Sequence, residues 1–361
     1  EIGRDLMVEI AYVGNRGAWY EANGLVSING VTPERLRSFG FDVNNADDRA
    51  LLVKRLDTPE AKADPRVKVP YAGYPLSATV AQSLRPYPHF GNIDLDLAPL
   101  GNTWYDSLQV KATKRFSQGM DFILAYTFSK TLTTVTEQGG GTVPVADVFN
   151  RRATKTISGS DQPHVLVASF RYEVPAFGLS NRNRLTRLAL QGWNVSGILR
   201  YSSGVPIQVP GAQNSIASLL FRGSFANRVA GQPLFTKDLN CGCIDPGKDF
   251  VLNPAAWADP APGQLGVSAP YYSDYRTARI YDESMSFGKI TRFRERMSLE
   301  FRVELFNVFN RVRFANPESG NALATQRRLP NGTAQSGFGR VDNRNTASAP
   351  RTGQLALRFR F

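Results

Sequence analysis

Residues 354–361 read Gln-Leu-Ala-Leu-Arg-Phe-Arg-Phe, and this alternation narrows the folds open to the chain. As a strand, the segment places Leu355, Leu357, Phe359 and Phe361 on one face and Gln354, Arg358 and Arg360 on the other. A period of two that ends on an aromatic residue, with no polar tail, suits a strand with lipid on its apolar face and water on its charged face. The longest apolar stretches fall far below the roughly 18 residues of a helical span, so membrane residence has to come from strands.

The same period recurs along the chain and predicts eight strands. The first, about Asp5 to Gly14, sets Leu6, Val8, Ile10 and Tyr12 against Asp5, Met7, Glu9 and Ala11. The second, Tyr105 to Phe116, carries Leu108, Val110 and Ala112; the third, Gly119 to Leu132, carries Phe122, Leu124, Tyr126 and Phe128. Only Ser117 and Gln118 separate these two, which makes them a hairpin. His164 to Val174 (Leu166, Ala168, Phe170, Tyr172) and Leu190 to Ser203 (Trp193, Val195, Gly197, Leu199, Tyr201) follow. Asp282 to Thr291 is marked by Met285 and Phe287, and Arg296 to Phe309 by Met297, Leu299, Phe301, Val303 and Leu305. The terminal segment is the eighth.

The connections alternate between long and short: Asn15 to Trp104, Ser117-Gln118, Thr133 to Pro163, Pro175 to Ala189, Gly204 to Tyr281, Arg292 to Glu295 and Asn310 to Arg351. An antiparallel sheet with long connections at one rim and tighter ones at the other is the layout of a transmembrane barrel wall, long loops outside and short turns in the periplasm. The 31 Gly and 22 Pro sit mostly in the connections. With odd strands running outward, Tyr12, Tyr126, Phe128 and Tyr201 fall near the outer rim and Phe116, Tyr172, Trp193 and Phe361 near the inner one, as two aromatic girdles would. The fold expected is therefore all-β, an antiparallel transmembrane β-barrel wall located in the outer membrane. The chain begins at Glu1 without an initiating Met or a signal segment and is read as part of something longer.

The net charge of +12 is spread over polar strand phases and turns such as Arg182 to Arg187, not gathered on one patch. That argues against nucleic acid and fits a wet lumen and contacts to outer-membrane lipid and anionic lipopolysaccharide. Glu300, Arg302 and Glu304 on the seventh strand face Arg358 and Arg360 on the eighth, a lumen charge ladder expected to set register.

No catalytic, cofactor or metal constellation is visible, and no enzyme is expected. His89 and His164 are too sparse for a His-based metal site, and Gly139-Gly140-Gly141 lacks the Lys and helix of a phosphate loop. Asp47-Asp48 lacks calcium-loop spacing. Cys241 and Cys243 are too few for a disulfide framework and are read as incidental or as a small loop disulfide. Trp257, Tyr271, Tyr272 and Tyr275 are candidate ligand contacts, able to stack on a sugar, siderophore ring or peptide; packing of their loop against itself is the favoured alternative.

Seven blocks, in order, carry a resemblance. They are Tyr12-Val13-Gly14-Asn15-Arg16-Gly17; Trp104 to Lys111 with Lys114 to Gly119; Tyr126-Thr127-Phe128-Ser129-Lys130; Asp161-Gln162-Pro163-His164; Tyr172-Glu173-Val174-Pro175; Gly192 to Gly197; and Glu304 to Asn310. Together the chain resembles the Oar-like TonB-dependent receptors over nearly its whole length. The resemblance implies a barrel of about 22 strands filled by an N-terminal plug, often preceded by a carboxypeptidase-regulatory-like domain. Against that pattern residues 1–361 read as a single domain, the C-terminal part of the wall, without plug or TonB box. The implied function is ligand binding at extracellular loops and uptake, with the TonB complex engaged through the missing N-terminal part. A passive pore or adhesin barrel without TonB coupling is the alternative. Phe361 is expected to be the signal read by the barrel-assembly machinery.

Overall fold

The structure, a computed structural model, describes residues 5–22, 27–95, 98–134, 150–175, 184–294, 297–342 and 347–361. Among these residues eight long strands form where the period-two segments lie: β1 (Leu6–Glu21), β2 (Pro99–Ser117), β3 (Met120–Thr133), β4 (His164–Glu173), β5 (Trp193–Ser202), β6 (Ile280–Arg294), β7 (Met297–Phe306) and β8 (Thr352–Arg360). Each pairs antiparallel with its chain neighbour from β1 through to β8, and Thr156–Ile157 adds a short rung to β3. The sheet is open, with no pairing of β1 to β8 among the described residues.

Register decides which side chains share a face. One row runs Val8, Ala112, Leu124, Ala168 and Leu199; another runs Phe359, Leu299 and Thr291, with Leu357, Phe301 and Lys289 beside it. The apolar phase of all eight strands thus forms one continuous face. On β8, Leu355 is 73% and Leu357 70% exposed, and neither packs into a protein interior. An apolar surface of this extent is unfavourable in water and costs nothing in hydrocarbon. Lys114 shares that face but lies at the β2–β3 turn, where its Nζ donates to Ser117 O (3.0 Å), Ser117 Oγ (2.6 Å) and Met120 O (3.1 Å).

Several boundaries differ from the sequence reading. β1 and β2 run on to Glu21 and back to Pro99, because the backbone ladder continues through Asn15–Tyr105, Arg16–Trp104 and Gly17–Thr103 without needing apolar alternation. The hairpin turn is Gln118-Gly119, one residue later than expected. Both central residues have positive φ (52° and 78°), the requirement of a type I′ turn, and glycine meets it without strain. β5 starts at Trp193 instead of Leu190 because Arg184–Leu190 is helical.

That helix stops at Gly192 (φ 82°), whose O accepts from Ile290 N at 2.8 Å. A Cβ there would lie 2.1 Å from Ile290 O. Gly192→Ala is therefore expected to lower stability by about 2 kcal/mol or more, from left-handed strain plus the backbone clash. Denaturant midpoints in detergent measure it; an unchanged midpoint would show that the turn relaxes.

The strand order sets at one rim the ends of β1–β2, β3–β4, β5–β6 and β7–β8 that are joined by the connections 22–98, 134–163, 203–279 and 307–351, and at the other rim the ends joined within β2–β3, β4–β5 and β6–β7. The long ones are structured. The first holds helices α1 (Pro33–Ser38), α2 (Ala46–Leu52), α3 (Pro59–Ala63) and α4 (Val80–Ser83); α5 (Arg184–Leu190) lies in 174–192 and α6 (Ile216–Leu220) in 203–279. Among the described residues the large apolar clusters sit in these loops and not in the wall.

Candidate functional site

The long-connection rim carries two hydrophobic cores, each shared between connections. In the first, Leu36, Phe41, Leu52 and Val80 of connection 22–98 pack with Ile216, Leu219 and Leu220 of connection 203–279. Its short helices begin where a side chain caps free N–H groups: Thr32 accepts from Arg35 N (3.1 Å), Asn45 from Asp47 N (2.8 Å) and Thr79 from Gln82 N (3.1 Å). The second core joins Ile207, Val251, Leu252, Trp257 and Tyr275 to Phe338 and Val341 of connection 307–351.

Ion pairs fasten these loops. Arg66 Nη1 donates to Asp48 Oδ1 at 2.8 Å, its Nη2 to Asp64 Oδ2 at 2.7 Å, and its guanidinium lies 4.5 Å from the Phe41 ring centre. The hydrogen bond from Arg66 holds the Asp64 carboxyl below its ordinary range. A depressed folded-state value means stability present above the unfolded value near pH 4 and lost as pH falls through the folded value. Protease nicking of connection 22–98 is therefore expected to rise on acidification below about pH 4, and Asp64→Asn to flatten that dependence; a slope unchanged in the variant would assign it to other carboxylates.

A second clasp sits where connection 203–279 leaves and rejoins the wall. Arg276 Nη2 donates to Asp161 Oδ2 at 2.6 Å, and its Nη1 to Asp161 O (2.6 Å) and Gly204 O (3.2 Å). Asp161 Oδ1 accepts from Thr131 N at 2.7 Å, on β3. The pair is buried, with side chains 14% and 2% exposed.

Of the candidate ligand contacts, Tyr275 is fully buried and Trp257 nearly so, their ring centres 5.2 Å apart inside the second core. They pack the loops and offer no surface. Tyr272 is half-buried, 6.4 Å from Trp257 and under the Arg228 guanidinium, and Tyr271 pairs with Gln208. In the ladder, Glu300 lies opposite Arg358, Arg360 Nη2 reaches Glu300 Oε2 at 3.7 Å, Arg302 Nε meets Glu304 Oε1 at 3.0 Å, and Glu304 accepts from Gln354. Phe361 is exposed and stacks with Phe359. Cys241 and Cys243 form a disulfide. His164 Nδ1 is 2.8 Å from Tyr126 Oη, and His89 lies against Tyr71 and Phe90. Gly139-Gly140-Gly141 lies outside the described residues.

Sequence reasoning missed Glu283. It occupies the apolar phase of β6, between Tyr281 and Met285, and is 1% exposed because Arg311 covers it: Arg311 Nε donates to Glu283 Oε1 (2.9 Å) and Oε2 (3.0 Å). A carboxylate in an apolar phase was the available signal, since such a group needs a partner. Beside it, between connections 203–279 and 307–351, opens a cavity of about 440 Å³ lined by Arg279, Tyr281, Arg311 and Arg313 among others. A smaller one of about 260 Å³, lined by Asp238, Asp274 and Arg276, adjoins it. A third, about 580 Å³, lies at the short-connection rim between Arg171, Arg187 and Arg292.

An antiparallel meander with one continuous apolar face, a polar opposite face and long connections gathered at one rim defines a barrel-wall protein of a membrane. The chain belongs to the outer membrane beta barrel domain family, whose model matches residues 1–354, and this places it in the outer membrane. No curated protein matches it. Among solved structures it is similar to the outer membrane transporter YddB from Escherichia coli, with 9% identity and a TM-score of 0.37 over 100% of this chain and 31% of that one. The chain thus spans about a third of that transporter's length.

Proposed function

We propose that the chain is the C-terminal part of the barrel wall of a TonB-dependent outer-membrane transporter of the Oar-like type, one that binds a ligand at its extracellular loops and passes it to the periplasm. The long-connection rim is then extracellular and the short-connection rim periplasmic. The observation that carries the reading is the folded loop assembly: connections 22–98, 203–279 and 307–351 bury shared cores and leave cavities between them. A wall that only enclosed a pore would need turns, not a built recognition surface. The seven Oar-like blocks support the subtype. The ligand is a small molecule, glycan or peptide, held without covalent chemistry. With Trp257 and Tyr275 buried, its contacts come from other loop residues, Tyr272 among the original candidates.

Full-length protein, extracted in detergent and shown to be folded by heat-modifiable gel mobility, tests the reading. Capture of the periplasmic C-terminal domain of TonB is the expected result. A folded protein that does not bind TonB would overturn coupled uptake and leave a passive barrel.

A further inference from the structure

The approximately 440 Å³ cavity sits at a particular level of the wall. Tyr281, in its lining, pairs with Tyr201, Tyr201 with Leu166, and Leu166 with Tyr126, a single row across four strands on the apolar face. Tyrosines in such a row mark the headgroup level, because the ring is apolar and its hydroxyl polar. Arg311 lies over Tyr281, 4.8 Å from the ring centre, held there by the bifurcated bond that its Nε donates to both Glu283 oxygens. Its two Nη groups have no hydrogen bond among the described residues, and they stand at the boundary between hydrocarbon and water.

Arg279 and Arg313 complete the lining charge. Neither has a carboxylate ion-pair partner among the described residues; Arg313 Nη2 donates to Ala347 O at 2.8 Å. Asp238, the carboxylate nearest in influence to Arg279, accepts from Asn240 N (2.9 Å) and Asn240 Nδ2 (3.1 Å). Among the described residues the lining holds three guanidinium groups and no carboxylate; two lie nearby, Glu283 bound to Arg311 and Asp238 within electrostatic reach of Arg279. Exposed Phe309 and Val312 flank them, apolar where the chain has left the strand. Guanidinium forks above exposed apolar side chains, on the lipid side of a barrel rim, match an amphiphile with a phosphate at its head.

We propose that this cavity docks the phosphate of a phosphorylated glycolipid of the outer leaflet, with Arg279, Arg311 and Arg313 as its donors and Phe309 and Val312 against the acyl region. The site rests on the outer-membrane assignment and is independent of energy coupling. It turns part of the chain's positive charge from a diffuse property into a defined contact.

The test uses full-length protein, delipidated in detergent and titrated with three probes: lipid A bearing both phosphates, lipid A with its phosphates removed, and inorganic phosphate. Thermal loss of the compact, heat-modifiable form is the readout. The phosphorylated lipid is expected to bind at least about tenfold tighter than the dephosphorylated one, as one or two lost charge-assisted hydrogen bonds require. Inorganic phosphate is expected to give no shift at the same concentrations. Arg279→Ala with Arg313→Ala should weaken the phosphorylated lipid by at least about tenfold, whereas Lys62→Ala with Arg327→Ala, which removes the same charge from exposed loop positions, should not. Equal binding of both lipids, an equal response to free phosphate, or an unaffected Arg279/Arg313 variant would each overturn the site. Retained heat-modifiable mobility in both double variants separates lost binding from lost folding.

Discussion

Arg276→Ala is expected to destabilise the folded protein by roughly 3–5 kcal/mol, the cost of leaving a buried charge without its partner. The Asp161 carboxylate would keep its bond from Thr131 N and lose the guanidinium, while Asp161 O and Gly204 O would lose their shared donor. The effect should be directional: connection 203–279 is rooted at this point, so protease cleavage within it should rise before the wall unfolds. Guanidinium chloride midpoints in detergent, read beside the cleavage pattern, check both parts. A loss under about 1 kcal/mol would place the pair among screened surface bridges.

Arg311→Ala should cost a similar amount, roughly 3–5 kcal/mol, for a different reason. Glu283 lies on the face that meets lipid, one pair below the tyrosine row; Tyr201 contributes a side-chain hydrogen bond, but Arg311 is the cation that balances its charge there. The carboxylate would take up a proton or draw water into the interface, and either costs free energy. Glu283→Gln with Arg311→Met removes both charges and should recover at least about half of the loss. A double-mutant cycle measures the coupling. A double variant as unstable as Arg311→Ala alone would mean that Arg311 acts through its packing on Tyr281 and Phe309 and not through its charge.

The strands were legible because lipid imposes a severe rule on them. Every second residue from Leu6 to Tyr12, and again from Trp193 to Tyr201, must suit hydrocarbon, so their period survives in one sequence without tertiary information. The loops obey no such rule. Even so, Thr32-Pro33-Glu34 and Thr58-Pro59-Glu60 are helix starts, each a capping threonine followed by proline and an acidic first turn, and α1 and α3 begin there. The period-two reading passed over them because it treated residues 15 to 104 as one connection. For Trp257 and Tyr275 the sequence favours loop packing over ligand contact, and both lie in the second core, although composition alone does not tell which loop aromatics stay exposed. Asp161 and Arg276 stand 115 positions apart, and no local pattern announces their meeting.

Because α6 of one connection completes the core begun by α1, α2 and α4 of another, these surface segments are not interchangeable parts. A chimera that grafts residues 203–279 from a relative without residues 22–98 would leave Leu36 and Leu52 facing solvent. The loop surface of this architecture is therefore inherited in blocks, and remodelling it requires coordinated change in segments that lie far apart along the chain.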